Sequence, residues 1–510
     1  MSEEAQAARA EAQPVLTATQ PARIVGVIGA GTMGAGIAQL ACRAGACTLL
    51  HDPIPDALAR GAEKVRAGLA KEAEKGRLSA EDAAAAAQRL EVAADMAALA
   101  PCELVIEAAP ERVELKRELY GRLSEIVAAD CVLATNTSSL PVTGIAAGAS
   151  NPERVVGMHF FNPAPLMQLV EVIAGMRSED RALAIADATG RAMGKTVIRA
   201  SDGPGFLVNR CNRPFGLEAL RTLGERIADV ETIDRICRLG GGFRMGPFEL
   251  SDLVGVDTGF DVSRSFYELS FGEPRWRPSP IQARMVAAGL HGRKTEHGYY
   301  DYAGAGPHRP ADPDPPRRTA SAVVEGEGPL ADALRELASD DGAGAGDAAG
   351  PAPGSAGPAP SPAGSGPSAD PTISVRGLRG TVDGEPFYAL TPLTLVEITG
   401  DAGERAFARL GLHTARVEPC AVGVLPRIVC QVINECAFAL SEGVGTAADI
   451  DAGMTLGMNY PRGPLAWADA LGVEHVLGVL DTLWEEYREE RYRPAPALRE
   501  LVRTDGRFFQ

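Results

Sequence analysis

The chain lacks a C-x-x-C pair, a basic start followed by an apolar stretch, and any run of 18 or more apolar residues. Each absence excludes something. Its nine cysteines are odd in number and scattered, and several, such as Cys131 in CVLAT, sit in apolar runs. They read as small buried hydrophobes in a reducing compartment, with no disulfide framework and no zinc or other metal site. Without a signal-like start or a membrane-length apolar run, the expected setting is cytoplasmic, with no membrane partner. Positive charge is also scarce: 50 Lys and Arg against 67 Asp and Glu give a net charge of -17. That balance argues against nucleic acid, which selects a basic face. It does not exclude anionic small molecules, since a helix N-terminus suffices to hold a phosphate.

At 510 residues the chain exceeds one hydrophobic core, so two to four domains are expected. After a polar, Ala-rich tail (1–20), short apolar runs (IVGVIG, CTLLHD, ELVIEAA, CVLATN, RVVGMHFF) alternate with Ala-rich helical stretches to about residue 200. The alternation predicts a doubly wound, mostly parallel sheet over 21–200. From 201 to 302 helical periods are broken by Gly-Pro turns, predicting a separate helical domain. Residues 303–370 read as a linker, because 342–370 contain only Gly, Ala, Asp, Pro and Ser. A small α/β segment without an assignable role is expected over 371–420, then a second helical domain over 421–510. That domain is a repeat: shifted by 217, residues 210–257 lie on 427–474 without a gap, with 13 of 48 positions identical. The matches include Glu218/Glu435, Asp234/Asp451, Gly246-Pro247/Gly463-Pro464 and Asp252/Asp469. The fold class is thus α/β plus all-α, with the helical part duplicated and no nucleotide-binding fold before the second copy.

Gly29-Ala30-Gly31-Thr32-Met33-Gly34 matches G-x-G-x-x-G, follows an apolar strand and opens a helix. In that context the first glycine makes the tight turn, the second admits a pyrophosphate, and the third packs helix against strand. The next strand ends at Asp52, 21 residues after Gly31, where a carboxylate accepts from the adenosine ribose hydroxyls and repels a 2′-phosphate. The cofactor expected is NAD.

The stretch 155–173 reads strand, Pro-rich turn, strand. If the hairpin is symmetric about Pro165, His159 faces Glu171, at a cross-strand Cβ separation of about 5 Å. A carboxylate behind an imidazole fixes its tautomer and raises its basicity, as a general base requires. The plainer alternative is a histidine satisfied by a structural carboxylate. Thr135-Asn136-Thr137-Ser138-Ser139 places hydroxyls at the carboxyl end of a parallel strand, and Asn209 falls one turn into the first helix of the next domain. Either segment also suits plain caps and turns.

In this order, GAGTMG, NTSS, HFFNP with its following glutamate, PGFLVNR and GRKTEHGYYDY resemble the L-3-hydroxyacyl-CoA dehydrogenases over residues 23–302. The second helical copy is similar to that of long members, and DIDAGMTLGMNYPRGPLAWADALG with EERYRP is closest to the 3-hydroxyadipyl-CoA branch of phenylacetate breakdown. The resemblance implies His159 as general base, Glu171 as its orienting partner, and Ser138 and Asn209 on the substrate's oxygens. It implies NAD contacts from Glu107, Asn162 and Lys294, and puts Lys75 near the coenzyme A phosphates. The basic helix around Lys75 (KVRAGLAKEAEKGR) reads more readily as a solvated charged face. Family helical domains pair across a dimer, so the expected state is a homodimer or a pseudo-dimeric monomer whose second copy, with Pro426 in place of Asn209, is a non-catalytic packing module. The acyl chain stays open between adipyl and butyryl or fatty chains. A distal carboxylate wants a cation, and Arg213, Arg244, Arg427 and Arg462 are the candidates. A β-hydroxyacid dehydrogenase without coenzyme A would rely on a lysine base, and the HFFNP hairpin argues against it.

Overall fold

The computed structural model describes residues 20–319, 321–339 and 371–509. The tail expected over 1–20, except its last residue, and the Gly/Ala/Pro/Ser stretch 342–370 lie outside the described residues. The chain divides into two units. The first runs to Cys211 and includes Ala439–Asn459; the second holds Asn212–Phe438 and Tyr460–Gln510.

In the first unit eight strands form one sheet: β1 (Ile24–Ile28), β2 (Cys47–His51), β3 (Leu90–Ala93), β4 (Leu104–Glu107), β5 (Val132–Thr135), β6 (Val155–Phe160), β7 (Leu169–Ala174) and β8 (Thr196–Ser201). Their order is β3-β2-β1-β4-β5-β6-β7-β8. β1 to β6 run parallel to one another, β7 turns antiparallel to β6, and β8 is parallel to β7. Strands such as VVGMHF are buried along their whole length, as expected of a sheet covered on both faces. Small residues of the helix Thr32–Arg43, among them Ala35, Ala38 and Ala41, let it lie close against that sheet. The strand order reverses between β1 and β4, which opens a crevice at the strands' carboxyl ends.

A piece of the C-terminal copy completes this unit. Ser201 N donates to Val444 O at 2.8 Å, and Arg210 pairs with Glu442 at 2.8 Å. The helix Ala447–Met458 comes so close that a Cβ at Gly457 would lie 2.8 Å from Leu169 and 3.2 Å from Val208. Small residues on that helix are what allow the approach.

The second unit contains the helical domain and a second sheet, ordered β14-β13-β12-β11-β10-β9. Part of the expected linker is structured: β9 (Val323–Glu325) and the helix Pro329–Ser339 fall within 303–370, because Leu330, Ala331 and Leu334 bury an apolar stripe on the sheet. The remaining strands are β10 (Thr372–Arg376), β11 (Arg379–Val382), β12 (Glu385–Tyr388), β13 (Leu395–Ile398) and β14 (His413–Arg416).

This sheet shows that the duplication reaches beyond the helices. β12 is antiparallel to β13 and β13 parallel to β14, with the helix Asp401–Arg409 between them. β6, β7, the helix Asp180–Ala192 and β8 have the same arrangement. Glu171 accepts from Leu207 N (3.2 Å) and Val208 N (3.0 Å); Glu397 accepts from Val424 N (2.6 Å) and Leu425 N (2.8 Å), the positions 217 further on. Ser201 N to Val444 O has its counterpart in Glu418 N to Ile227 O, both 2.8 Å. Asp252 receives Tyr299 N and Tyr300 N, as Asp469 receives Phe508 N and Phe509 N. Residues 371–420 therefore contain counterparts of β6, β7 and β8. The Gly-rich first half of the first unit's sheet has no counterpart among the described residues.

The helix Val424–Ser441 is long and apolar enough to cross a membrane by composition, but 89% of it is buried within the protein. Inside, Arg427 pairs with Glu218 at 3.0 Å and Glu435 with Arg275 at 3.0 Å.

Candidate functional site

Two places in the first unit carry the expected residues. At the crevice, Gly29 adopts φ +93°, and a Cβ there would meet Ala108 O at 2.6 Å. At Gly34 a Cβ would lie 1.7 Å from Gly29 O, so only glycine lets the helix start beneath the turn. A Cβ at Gly31 would meet nothing within 4 Å. Its bareness serves no protein contact and leaves the backbone open to a ligand, which is the fit a pyrophosphate requires. Thr32 and Met33 begin the helix, whose first N–H groups face that opening.

Beside this turn lies a cavity of about 500 Å³. Ile54, Met96 and Leu119 make its walls apolar, and Asp52 stands at its edge. Asp52 already accepts from Ala30 N (2.8 Å) and Ile54 N (2.9 Å), which fixes the carboxylate at the tip of β2. A flat heterocycle between apolar walls, a ribose at the carboxylate and phosphates at the glycines together describe the adenosine half of NAD.

The second place is the β6–β7 hairpin. Residue 159 pairs with 171 in the register, and His159 Nδ1 lies 2.6 Å from Glu171 Oε2. A carboxylate only accepts, so Nδ1 carries the proton and Nε2 is left as an acceptor. Glu171 is fully buried; its other oxygen holds Leu207 N and Val208 N at the start of the helix Val208–Cys211. Phe161 and Phe206 flank the imidazole, with ring centroids 4.6 and 6.0 Å away. Asn209 is the second residue of that four-residue helix, not a full turn along a longer one, and is half-buried.

The loop after β5 is tied to this hairpin: Asn136 Oδ1 accepts from Phe160 N at 2.8 Å. It is shaped by Glu111, whose Oε1 takes Thr137 Oγ1 (2.5 Å), Ser138 N (3.0 Å), Ser139 N (3.1 Å) and Ser139 Oγ (3.0 Å). Burial raises the Glu111 carboxyl, but Lys116 and these donors outweigh it and hold the group below the usual carboxylate range. Ser138 itself is exposed.

Glu107 is a correction. It is fully buried, with Oε1 on Lys116 Nζ (2.5 Å) and Ala109 N (2.6 Å) and Oε2 on Thr135 Oγ1 (2.8 Å). It has no surface to offer a cofactor and instead anchors the ends of β4 and β5. Glu111, four residues on, is the acid at the open loop; a charged residue just past a parallel strand, in EAAPER, was the signal for it. Asp202 was also missed, and caps the helix Val142–Ala146 through Val142 N (3.0 Å) and Thr143 N (2.7 Å). So was Lys195, a buried cation donating to Ala164 O (2.7 Å) and Met167 O (2.6 Å) in the hairpin's turn.

Asn162 is exposed just beyond β6, and Lys75 is exposed at the end of the helix Pro55–Glu74. Lys294 belongs to the second unit, where it pairs with Asp257 at 2.6 Å. Among the arginines, Arg427 is withdrawn from ligand reading: it is 1% exposed and clamped by Glu218 and Glu225. Arg213 lines a cavity of about 130 Å³ with Phe215, Leu250 and Ser251; burial lowers its guanidinium to about 10, which leaves it charged at neutral pH. Arg244 is exposed, and Arg462 lies over the Trp467 ring at 5.4 Å.

A family model described as 3-hydroxyacyl-CoA dehydrogenase, NAD binding domain, matches residues 24–203. Its companion, 3-hydroxyacyl-CoA dehydrogenase, C-terminal domain, matches 205–302 and again 424–507. The 3-hydroxyadipyl-CoA dehydrogenase of Escherichia coli (strain K12) is 36% identical over 503 residues, 95% of this chain and 98% of its own. A probable 3-hydroxybutyryl-CoA dehydrogenase of Deinococcus radiodurans is 40% identical over 277 residues, 54% of this chain and 99% of its own. The crystal structure of a 3-hydroxybutyryl-CoA dehydrogenase from Escherichia coli K12 superposes with a TM-score of 0.78 at 33% identity, covering 95% of this chain and 98% of that one.

Proposed function

The chain belongs to the 3-hydroxyacyl-CoA dehydrogenase family, NAD-dependent oxidoreductases, and on that premise we propose that it oxidises 3-hydroxyadipyl-CoA to the 3-oxo thioester in phenylacetate breakdown. The observation that carries the mechanism is the buried 2.6 Å contact between His159 and Glu171, with Nε2 left over. His159 takes the C3 hydroxyl proton at Nε2 as the C3–O bond becomes a carbonyl. Glu171 stabilises the resulting imidazolium and holds the ring by its own anchorage to Leu207 N and Val208 N. When bound, NAD supplies the acceptor for the C3 hydride. Gly29, Gly31, Gly34 and Asp52 hold its adenosine and pyrophosphate, with Asn162 as a further contact. Ser138 and Asn209 hydrogen-bond the substrate's oxygens, and Glu111 sets the loop from which Ser138 acts. Lys75 stands near the coenzyme A phosphates.

The adipyl chain rests on likeness along the whole length of a relative bearing that name. A butyryl reading is favoured by the names of the half-length relatives and of the superposed structure. NADH formation with 3-hydroxyadipyl-, 3-hydroxybutyryl- and 3-hydroxyhexanoyl-CoA decides between them. A preference for the adipyl ester supports the proposal. A butyryl preference in the unaltered chain keeps the mechanism and discards both the acyl assignment and the pathway.

A further inference from the structure

The second half retains the place of the catalytic cleft without its chemistry. Across β12–β13 it is Tyr388 that pairs with Glu397, as His159 pairs with Glu171 across β6–β7. Pro426 stands in the position of Asn209, and Gly423 in that of Phe206, whose ring flanks His159. A Cβ at Gly423 would lie 2.4 Å from that of Tyr388, so the wall that Phe206 supplies in the first half is necessarily missing in the second. A cavity of about 440 Å³ opens at this spot, a size ordinary for small-molecule sites.

Its lining is cationic. Arg376 and Arg379 flank the turn between β10 and β11, and His475 faces them from the helix Val473–Tyr487. Among the described residues the Arg376 side chain has neither an ion pair nor a hydrogen bond, and the Arg379 side chain donates only to Ala421 O, at 3.2 Å. The one carboxylate on the wall among the described residues is Glu474, which lies 3.7 Å from His475 Nε2 and forms no ion pair with either guanidinium. Two unneutralised guanidiniums at the rim of a concave site present forked N–H donors matched to an oxyanion.

We propose that this cavity binds a small molecule carrying an oxyanion, a carboxylate or a phosphate ester, through Arg376 and Arg379, and does not transform it. The residues in the dyad's place cannot act as it does: the Tyr388 hydroxyl donates to Cys420 O at 2.5 Å, and Glu397 spends both oxygens on backbone N–H groups. The site is the substrate cleft of a copy that has kept its pocket and lost its base.

The test is calorimetric titration of the full chain, saturated with NAD to block the dinucleotide site, with adipate and separately with inorganic pyrophosphate. Binding of adipate identifies a carboxylate ligand and binding of pyrophosphate a phosphate ester. In either case Arg376→Ala/Arg379→Ala raises the dissociation constant at least about tenfold while turnover and NAD affinity stay unchanged. Both side chains are exposed, so the variant folds, and a matching unfolding curve verifies that. No binding of either probe, or binding that the double variant leaves unaltered, overturns the proposal. Neither result bears on the dehydrogenase reading, which rests on the other cleft.

Discussion

The β6–β7 hairpin and its copy β12–β13 set different residues opposite a shared glutamate, and that difference separates two roles of the carboxylate. In both halves the glutamate receives two successive backbone N–H groups at the start of the following helix. Those donors would otherwise be orphaned in a buried setting, so the carboxylate is first a joint between sheet and helix. Only in the first half does it also face an imidazole. The joint is present where the base is absent, so the structural contact does not depend on the dyad.

The largest effect that would break this comparison is at the histidine. His159→Ala is expected to lower turnover about 10²–10⁴-fold with NAD affinity unchanged, whereas Tyr388→Phe leaves turnover as it is. Steady-state NADH formation checks both; near-normal turnover in His159→Ala sinks the dyad assignment. Next comes Glu171→Gln. The amide carbonyl still receives Leu207 N and Val208 N, but its NH₂ faces Nδ1 and forces the proton onto Nε2, removing the acceptor. Activity should fall on the order of 10²–10⁴-fold with little change in unfolding, while Glu397→Gln leaves activity untouched.

Much of this was legible in the sequence because it depends on local spacing. The Gly-rich turn, Asp52 and the 159–171 register follow from period-two alternation and turn chemistry, and the gapless 217-residue shift exposed the repeated helices. What stayed hidden depended on contacts distant in the chain or on a changed spacing. From His159 to Glu171 is 12 positions, but from Tyr388 to Glu397 only nine, so no single shift aligns both hairpin and helices. Glu107 and Glu111 carry the same charge four residues apart; the buried Lys116 engages both, and Glu107 alone is sealed from solvent. The apolar stripe of Pro329–Ser339 was masked by the low-complexity composition that follows it.

A third test uses the carboxylate without a histidine. Burial pushes Glu397 up to about 7 from the ordinary 4.5, against the two N–H donors that pull it down. Between those values the folded state binds a proton that the unfolded chain has released, so stability falls as pH rises through the window, by at most about 3 kcal/mol. Denaturant unfolding of the intact chain at about pH 5 and about pH 8 should show this slope, and Glu397→Gln should flatten it. A slope that persists in the variant assigns it to another group.

The smallest expected effect concerns the turn itself. The catalytic hairpin is three residues longer than its copy, and Lys195 fills the extra loop's need for donors through Ala164 O and Met167 O. Just before β14 the corresponding place is held by Leu412, 4% exposed, beside a turn too short to need a clasp. Lys195→Leu therefore imports the second half's solution into the first. Two buried carbonyls lose a charged donor, worth on the order of 1–3 kcal/mol, partly offset by the apolar side chain. Because the turn carries Asn162 and sets the far end of β7, the loss should reach the dyad as a fall in kcat of about tenfold or less, with KM for the thioester little changed. If kcat holds while unfolding shifts, the clasp stabilises the loop without aligning the base. If both hold, the length of the turn, and not its cation, distinguishes the two hairpins.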